Sequence, residues 1–209
     1  MHWTLNKNRL TLLMAPLSLT LALALAVAGC STEVTRMDAG EVKDLSGAWN
    51  DTDSQQVSEE MIKDVLNRPW FGEFTRTVNR QPAVIVGEVT NLSHEHINVY
   101  TFVADMERAL INSGKVQFVA SSTEREEIRG ERKDQDLNAS EATRKPMGQE
   151  KGADFMLKGT INTIIDASGK TQLRFYQVDL TLISLADNRK VWLGQKKIKK
   201  LVERSNLKF

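Results

Sequence analysis

The sequence predicts a mixed α/β domain in which helices flank a sheet of four to five strands. Three observations carry that expectation. Apolar residues recur at helical spacing over 54–67 and 98–113, and a β-branched run occupies 83–89. The last third of the chain then breaks into three strand-like segments, 154–166, 171–185 and 190–201, separated by turn residues.

The elements follow in order. Asn50-Asp51-Thr52-Asp53-Ser54 supplies cap and turn chemistry ahead of the first helix. In that helix Val57, Met61, Ile62, Val65 and Leu66 form an apolar face, with Glu59, Glu60, Lys63 and Asp64 outward. Arg68-Pro69 is read as its stop. Ala83 to Val89 reads as a buried strand. The helix over 98–113 is expected to turn Tyr100, Val103, Met106, Ala109 and Leu110 inward with Phe102 at the margin, and Gly114 sits where a C-cap belongs. Val116–Ala120 reads as a short strand. Ser121-Ser122-Thr123 caps a very polar helix over 124–133, and a further short helix is expected over 140–151. Ser168-Gly169-Lys170 and Asp187-Asn188-Arg189 read as hairpin turns, which makes the final strands antiparallel. The first two strands are expected to run parallel around helix 98–113.

Composition excludes several function classes. The chain has 209 residues, 41% of them hydrophobic and 26% charged, and a formal charge of +1. Without Lys7 and Arg9 the remainder is near neutral, so no basic surplus marks a nucleic-acid binder. A single cysteine, Cys30, rules out an internal disulfide and any multi-cysteine metal centre.

The first thirty residues resemble an export signal. Lys7 and Arg9 form a positive start, Leu10 to Val27 is an uncharged apolar run, and the run closes on Val27-Ala28-Gly29-Cys30. A retained membrane helix or an ordinary cleaved signal also fits the run alone, but the closing box resembles the lipobox of bacterial lipoproteins. That resemblance implies cleavage before Cys30 and acylation of its thiol, an attachment made firm by ~0.8 kcal/mol per buried CH₂. Ser31 in place of an aspartate implies the outer membrane, facing the periplasm. The expected organisation is a signal peptide over 1–29, a lipidated tether over 30–48, a globular domain over 49–204 and a tail over 205–209.

Several segments of the mature chain together resemble the LpoB family, in matching order over about residues 57–201. They are Pro82 to Gly87, Glu107 to Val116, Gly152-Ala153-Asp154-Phe155-Met156-Leu157-Lys158-Gly159, Tyr176-Gln177-Val178-Asp179-Leu180, and Lys190-Val191-Trp192-Leu193-Gly194-Gln195 running on to Lys200. The resemblance implies an outer-membrane lipoprotein that binds and activates a class A penicillin-binding protein and is not itself an enzyme. It implies a fold shared with the TolB N-terminal domain and the periplasmic domain of curli-secretion channel proteins. It implies no cofactor beyond the lipid on Cys30, no nucleic acid and no small-molecule substrate. The alternative is a lipoprotein adaptor or a secretion-channel-related binding module, although about 180 mature residues leave little room for the membrane hairpins of a pore. Enteric members carry a long Pro-rich linker, whereas the tether here is short and lacks proline.

Few residues offer chemistry. His94-Glu95-His96 alone resembles metal ligands, but a site needs three or four with a supporting shell, so an exposed polar loop and no metal are expected. No Gly-x-Ser-x-Gly context exists for a nucleophile, and Ser113-Gly114-Lys115 lacks the preceding glycine of a phosphate loop. Two segments are candidates for binding a partner. Trp70 and Phe71, with Phe74, are expected in a loop after the first helix, where they either anchor a partner or fold back to close the core edge. Lys196, Lys197, Lys199 and Lys200, with Arg204, either meet an acidic partner, anionic lipid or peptidoglycan carboxylates, or guard an edge strand.

Overall fold

The computed structural model describes residues 33–38 and 40–203, in two units divided between Glu41 and Val42. In the first unit the described residues carry no helix or strand. The second unit holds every element described below.

Helix α1 spans Asp51–Leu66. Asn50 caps it, its side chain accepting from Asp53 N–H while the Asp53 carboxylate accepts from Asn50 N–H, both at 3.0 Å. This reciprocal box satisfies two donors that the first turn would otherwise leave free. It also starts the helix three residues before the expected position. Val57, Met61, Ile62, Val65 and Leu66 are buried, as their spacing predicts.

Arg68-Pro69 does end α1, but Pro69 also opens a second helix, α2, over Pro69–Val78. Proline is favoured at a first helical position because no hydrogen bond is lost there. Asn79, left-handed at φ 54°, closes it. The aromatics therefore sit on a helix and not in a loop.

Strand β1 (Ala83–Asn91) leads through helix α3 (Val99–Asn112) to strand β2 (Gln117–Phe118), which pairs parallel to β1. The buried stripe of α3 is Phe102, Met106 and Leu110, while Tyr100 is exposed. The expected face was thus rotated: a strict four-residue repeat, 102–106–110, meets the core. Full burial of a Phe102-sized side chain contributes about 1.5–3 kcal/mol.

Helix α4 (Ser122–Asn138) has its own capping box, Ser121 with Glu124, and no buried residue. The expected helix over 140–151 does not form; those residues make turns. Pro146 lacks an N–H and Gly148 takes a φ of +80°, so a continuous helix is blocked.

The chain ends in three long strands, β3 (Phe155–Ser168), β4 (Thr171–Ser184) and β5 (Lys190–Glu203), joined as antiparallel hairpins. Gly169 and Asn188, both at positive φ, occupy the two turns. The sheet order is β2-β1-β3-β4-β5, with β1 parallel to β3 and β5 at one edge. Helices α1 and α3 pack on one face of this sheet, and the main core lies between.

Two glycines behave oppositely. At Gly159 on β3, an added Cβ would lie 2.3 Å from Leu180 Cδ2 and 2.6 Å from the Asp179 carbonyl oxygen. At Gly130, inside α4, it would meet nothing within 4 Å. Gly159→Ala should destabilise the domain by about 1–3 kcal/mol through overpacking. Gly130→Ala should stabilise it by roughly 0.5–1 kcal/mol through helix propensity. Urea unfolding of the two variants beside the parent checks both signs.

Candidate partner-binding surface

Strand alternation divides the sheet into two faces. Towards the helices point Leu157, Ile161, Tyr176, Val178, Leu180, Leu182 and Trp192, all buried. On the opposite face, Ala83, Ile85 and Val119 pack with Ala153 and Met156 beside β1. Across β3, β4 and β5 that face stays open. Ile164, Leu193 and Leu201 are 65%, 68% and 62% exposed there. Ile164, Phe175 and Lys199 form one cross-strand row, and Asn162, Gln177 and Lys197 the next. Asp179 on this face is satisfied by the side-chain amides of Gln177 and Gln195 at 2.7 and 2.8 Å.

The same alternation separates the four clustered lysines of β5, Lys196, Lys197, Lys199 and Lys200. Lys196 pairs with Glu60 of α1. Lys200 sends its ammonium to Asp53 at 2.6 Å and Asp44 at 2.8 Å, and to the Ala48 carbonyl at 3.2 Å. Burial pulls the Lys200 pKa down, but hydrogen bonds to Asp44 and Asp53 outweigh it and hold the ammonium above its ordinary value. Lys197 and Lys199 are exposed on the open face, and neither has an ion-pair partner among the described residues. The run is therefore two structural cations and two free ones on an edge strand. These contacts also show that residues 44–48, read as tether, are held by the domain.

Trp70 is buried. Its Nε1–H donates to the Val65 carbonyl at 2.7 Å, and its ring meets Phe155 edge-on at 4.9 Å. It closes the core edge and presents no exposed anchor. Phe71 and Phe74 are only partly buried, packing against Trp70 and Phe155 respectively. Beside α2 lies an open groove of about 1000 Å³, lined by Phe74, Val78, Leu185 and Val191 among others. At one rim the Arg80 guanidinium binds the Asp154 carboxylate through two hydrogen bonds of 2.7 Å. A second groove of about 420 Å³ runs between α1 and the free side of β5, lined by Glu60, Lys63, Arg68, Trp192 and Gly194 among others.

The His94–His96 loop hides a residue that sequence reasoning passed over as part of an exposed polar loop. Both histidines are exposed. Glu95 turns inward, where its carboxylate accepts from Tyr176 Oη at 2.8 Å, from Arg174 Nη1 at 2.8 Å and from Trp49 N–H at 3.1 Å. Burial first, and then the hydrogen bond to Glu95, push the Tyr176 phenol above its ordinary pKa. Among the described residues no group of three or more His, Cys, Asp or Glu side chains is arranged to hold a metal.

The model of the peptidoglycan-synthase activator LpoB matches residues 53–198, most of the domain just described. The chain belongs to the LpoB family. The fold is similar to that of the LpoB C-terminal domain from Escherichia coli, at 16% identity and a TM-score of 0.41, over 71% of this chain and 99% of that one. The Salmonella enterica LpoB domain gives 15% identity and 0.41 over the same shares. A lipoprotein from Neisseria meningitidis gives 12% and 0.39, over 60% of this chain and 88% of that one. No curated protein matches the chain in sequence.

Within this LpoB-family chain, Val27, Ala28, Gly29 and Cys30 lie outside the described residues, as does the tail over 205–209. Among the described residues no helix is long and apolar enough to cross a membrane.

The Glu95 network ties the 91–98 loop to β4 and to the chain before α1. Glu95→Ala leaves Tyr176, Arg174 and the Trp49 N–H without their acceptor, and should cost about 2–4 kcal/mol. His94→Ala and His96→Ala should each change stability by less than about 0.5 kcal/mol. Thermal unfolding with and without added zinc measures both, and zinc should move none of the three melting curves.

Proposed function

We propose that this chain is an outer-membrane lipoprotein, anchored through acylated Cys30 and facing the periplasm, that binds and activates a class A penicillin-binding protein. The observation that carries the reading is the family match across residues 53–198. The lipobox Val27-Ala28-Gly29-Cys30 supports the anchor, and the open face of β3–β5 supports a role in binding. No catalytic step is assigned to the chain, and it carries no cofactor beyond its lipid.

Activation of this kind is a coupling between two equilibria. A partner that binds the active conformation of the synthase tenfold more tightly than the inactive one shifts the population by about 1.4 kcal/mol. Activity then rises without any new reacting group. The tether limits where this can happen. From Cys30 to Asp44, whose carboxylate binds Lys200, fully extended chain spans at most roughly 50 Å. The synthase region it meets must therefore lie within that distance, plus the length of the domain itself, of the anchor.

Glycan polymerisation by a class A synthase from the same envelope, measured on lipid-linked precursor in detergent, tests the reading. The full chain should raise the rate severalfold and saturably. Cys30→Ala should stimulate equally in detergent, yet take up no palmitate and fail in cells. A synthase that neither binds the chain nor accelerates overturns the assignment.

A further inference from the structure

We infer that the free edge of β5, over about residues 191–199, is a docking site for an extended, acidic strand of a protein partner. The inference rests on the binding-module reading above, and its test separates the two.

β5 is fourteen residues long and hydrogen-bonded on one side only, to β4. An edge strand of this length presents a row of backbone donors and acceptors that another strand can pair with. The space for the side chains of an added strand is already shaped. On the helix side, the 420 Å³ groove between α1 and β5 lies alongside Trp192 and Gly194. There the Trp192 indole covers Gly194, filling the space a side chain at 194 would take, and gives the groove an apolar wall. On the open side, Leu193 and Leu201 are exposed at either end of a row whose middle is Gln195, Lys197 and Lys199.

Charge selects the occupant. Around this edge the acids are already taken: Glu60 by Lys196, and Asp64 by Arg68 and the Trp192 indole N–H. Lys63, Lys197 and Lys199 are exposed and have no ion-pair partner among the described residues. A second copy of the chain is therefore disfavoured. Antiparallel pairing centred on Ile198 would set Lys197 of one copy opposite Lys199 of the other, and like charges directly opposite are destabilising. The lysines that reject a second copy favour a strand with acidic residues at its centre and apolar or β-branched residues around them.

The probe is a fluorescein-labelled ten-residue peptide alternating glutamate with threonine, set against its lysine–threonine counterpart. The protein is the full chain in detergent, compared with Lys197→Glu/Lys199→Glu, whose altered side chains are exposed and partner-free. The acidic peptide should bind the parent, slow amide exchange within 191–199 and bind the double variant about tenfold or more weakly. The variant should keep the parent's circular dichroism and gain affinity for the lysine peptide. The proposal is overturned if the acidic peptide does not bind, if both proteins bind it equally, or if exchange slows elsewhere. Self-association through β5, or loss of vesicle binding in the variant without any peptide binding, also overturns it. A synthase that binds but is not displaced by the peptide removes the edge as its docking site while the activator reading stands. Peptide binding at β5 with no synthase bound does the reverse.

Discussion

The register of β5 on β4 is the constraint on which the rest of the domain depends. Strand side chains alternate with a period of two, so a slip of one residue would exchange the two faces of β5. Three contacts oppose that slip. The Trp192 ring occupies the space a side chain at position 194 would need, and its Nε1–H donates to Asp64 at 2.8 Å. Ile198 stands opposite Tyr176 and packs against the core. Lys200 is enclosed by Asp44, Asp53 and the Ala48 carbonyl. A shifted strand would expose Trp192 and drive Lys197 and Lys199 towards buried apolar neighbours, where an unpaired ammonium costs several kcal/mol.

This register links stability to the face that the sheet leaves open. Lys196 and Lys200 spend their charge on α1 and on the chain that leads into it. Lys197 and Lys199 alternate to the open face and meet solvent there, Lys199 in the row of Phe175 and Ile164. The segment ahead of α1 is drawn into the same arrangement, since Asp44 is a partner of Lys200. Under the proposed reading, a short connection of this kind sets where the domain sits relative to its anchor. The exposed lysines and the Lys200 contact of Asp44 belong to the same strand.

Much of this fold is legible in the sequence, and the failures have physical causes. The β-branched run of β1 and the alternation of β4 mark strands because few other structures tolerate them. Pro69 misled because a proline that ends one helix also suits the first turn of another, and the spacing of Trp70 and Phe74 by four residues was the signal of α2. Phe102 and Tyr100 exchanged faces because both lie within the broad apolar arc that periodicity alone allows on α3. The lysine cluster could not be divided from the sequence. The acids that claim Lys196 and Lys200 lie 136 and 156 residues away in the chain, at Glu60 and Asp44. Glu95 was hidden in the same way, between two exposed histidines, because its partners Arg174 and Tyr176 arrive from β4.

Lysine acylation read by mass spectrometry tests the division of β5 most directly. Under brief treatment of the folded chain with an activated ester, Lys197 and Lys199 should be modified quickly and Lys196 more slowly. Lys200, bound to two carboxylates and held above its ordinary pKa, should be slowest, and all four rates should converge in urea. Equal reactivity of Lys200 and Lys199 in the folded chain would contradict the register, and with it the account of how this strand serves both the core and the partner.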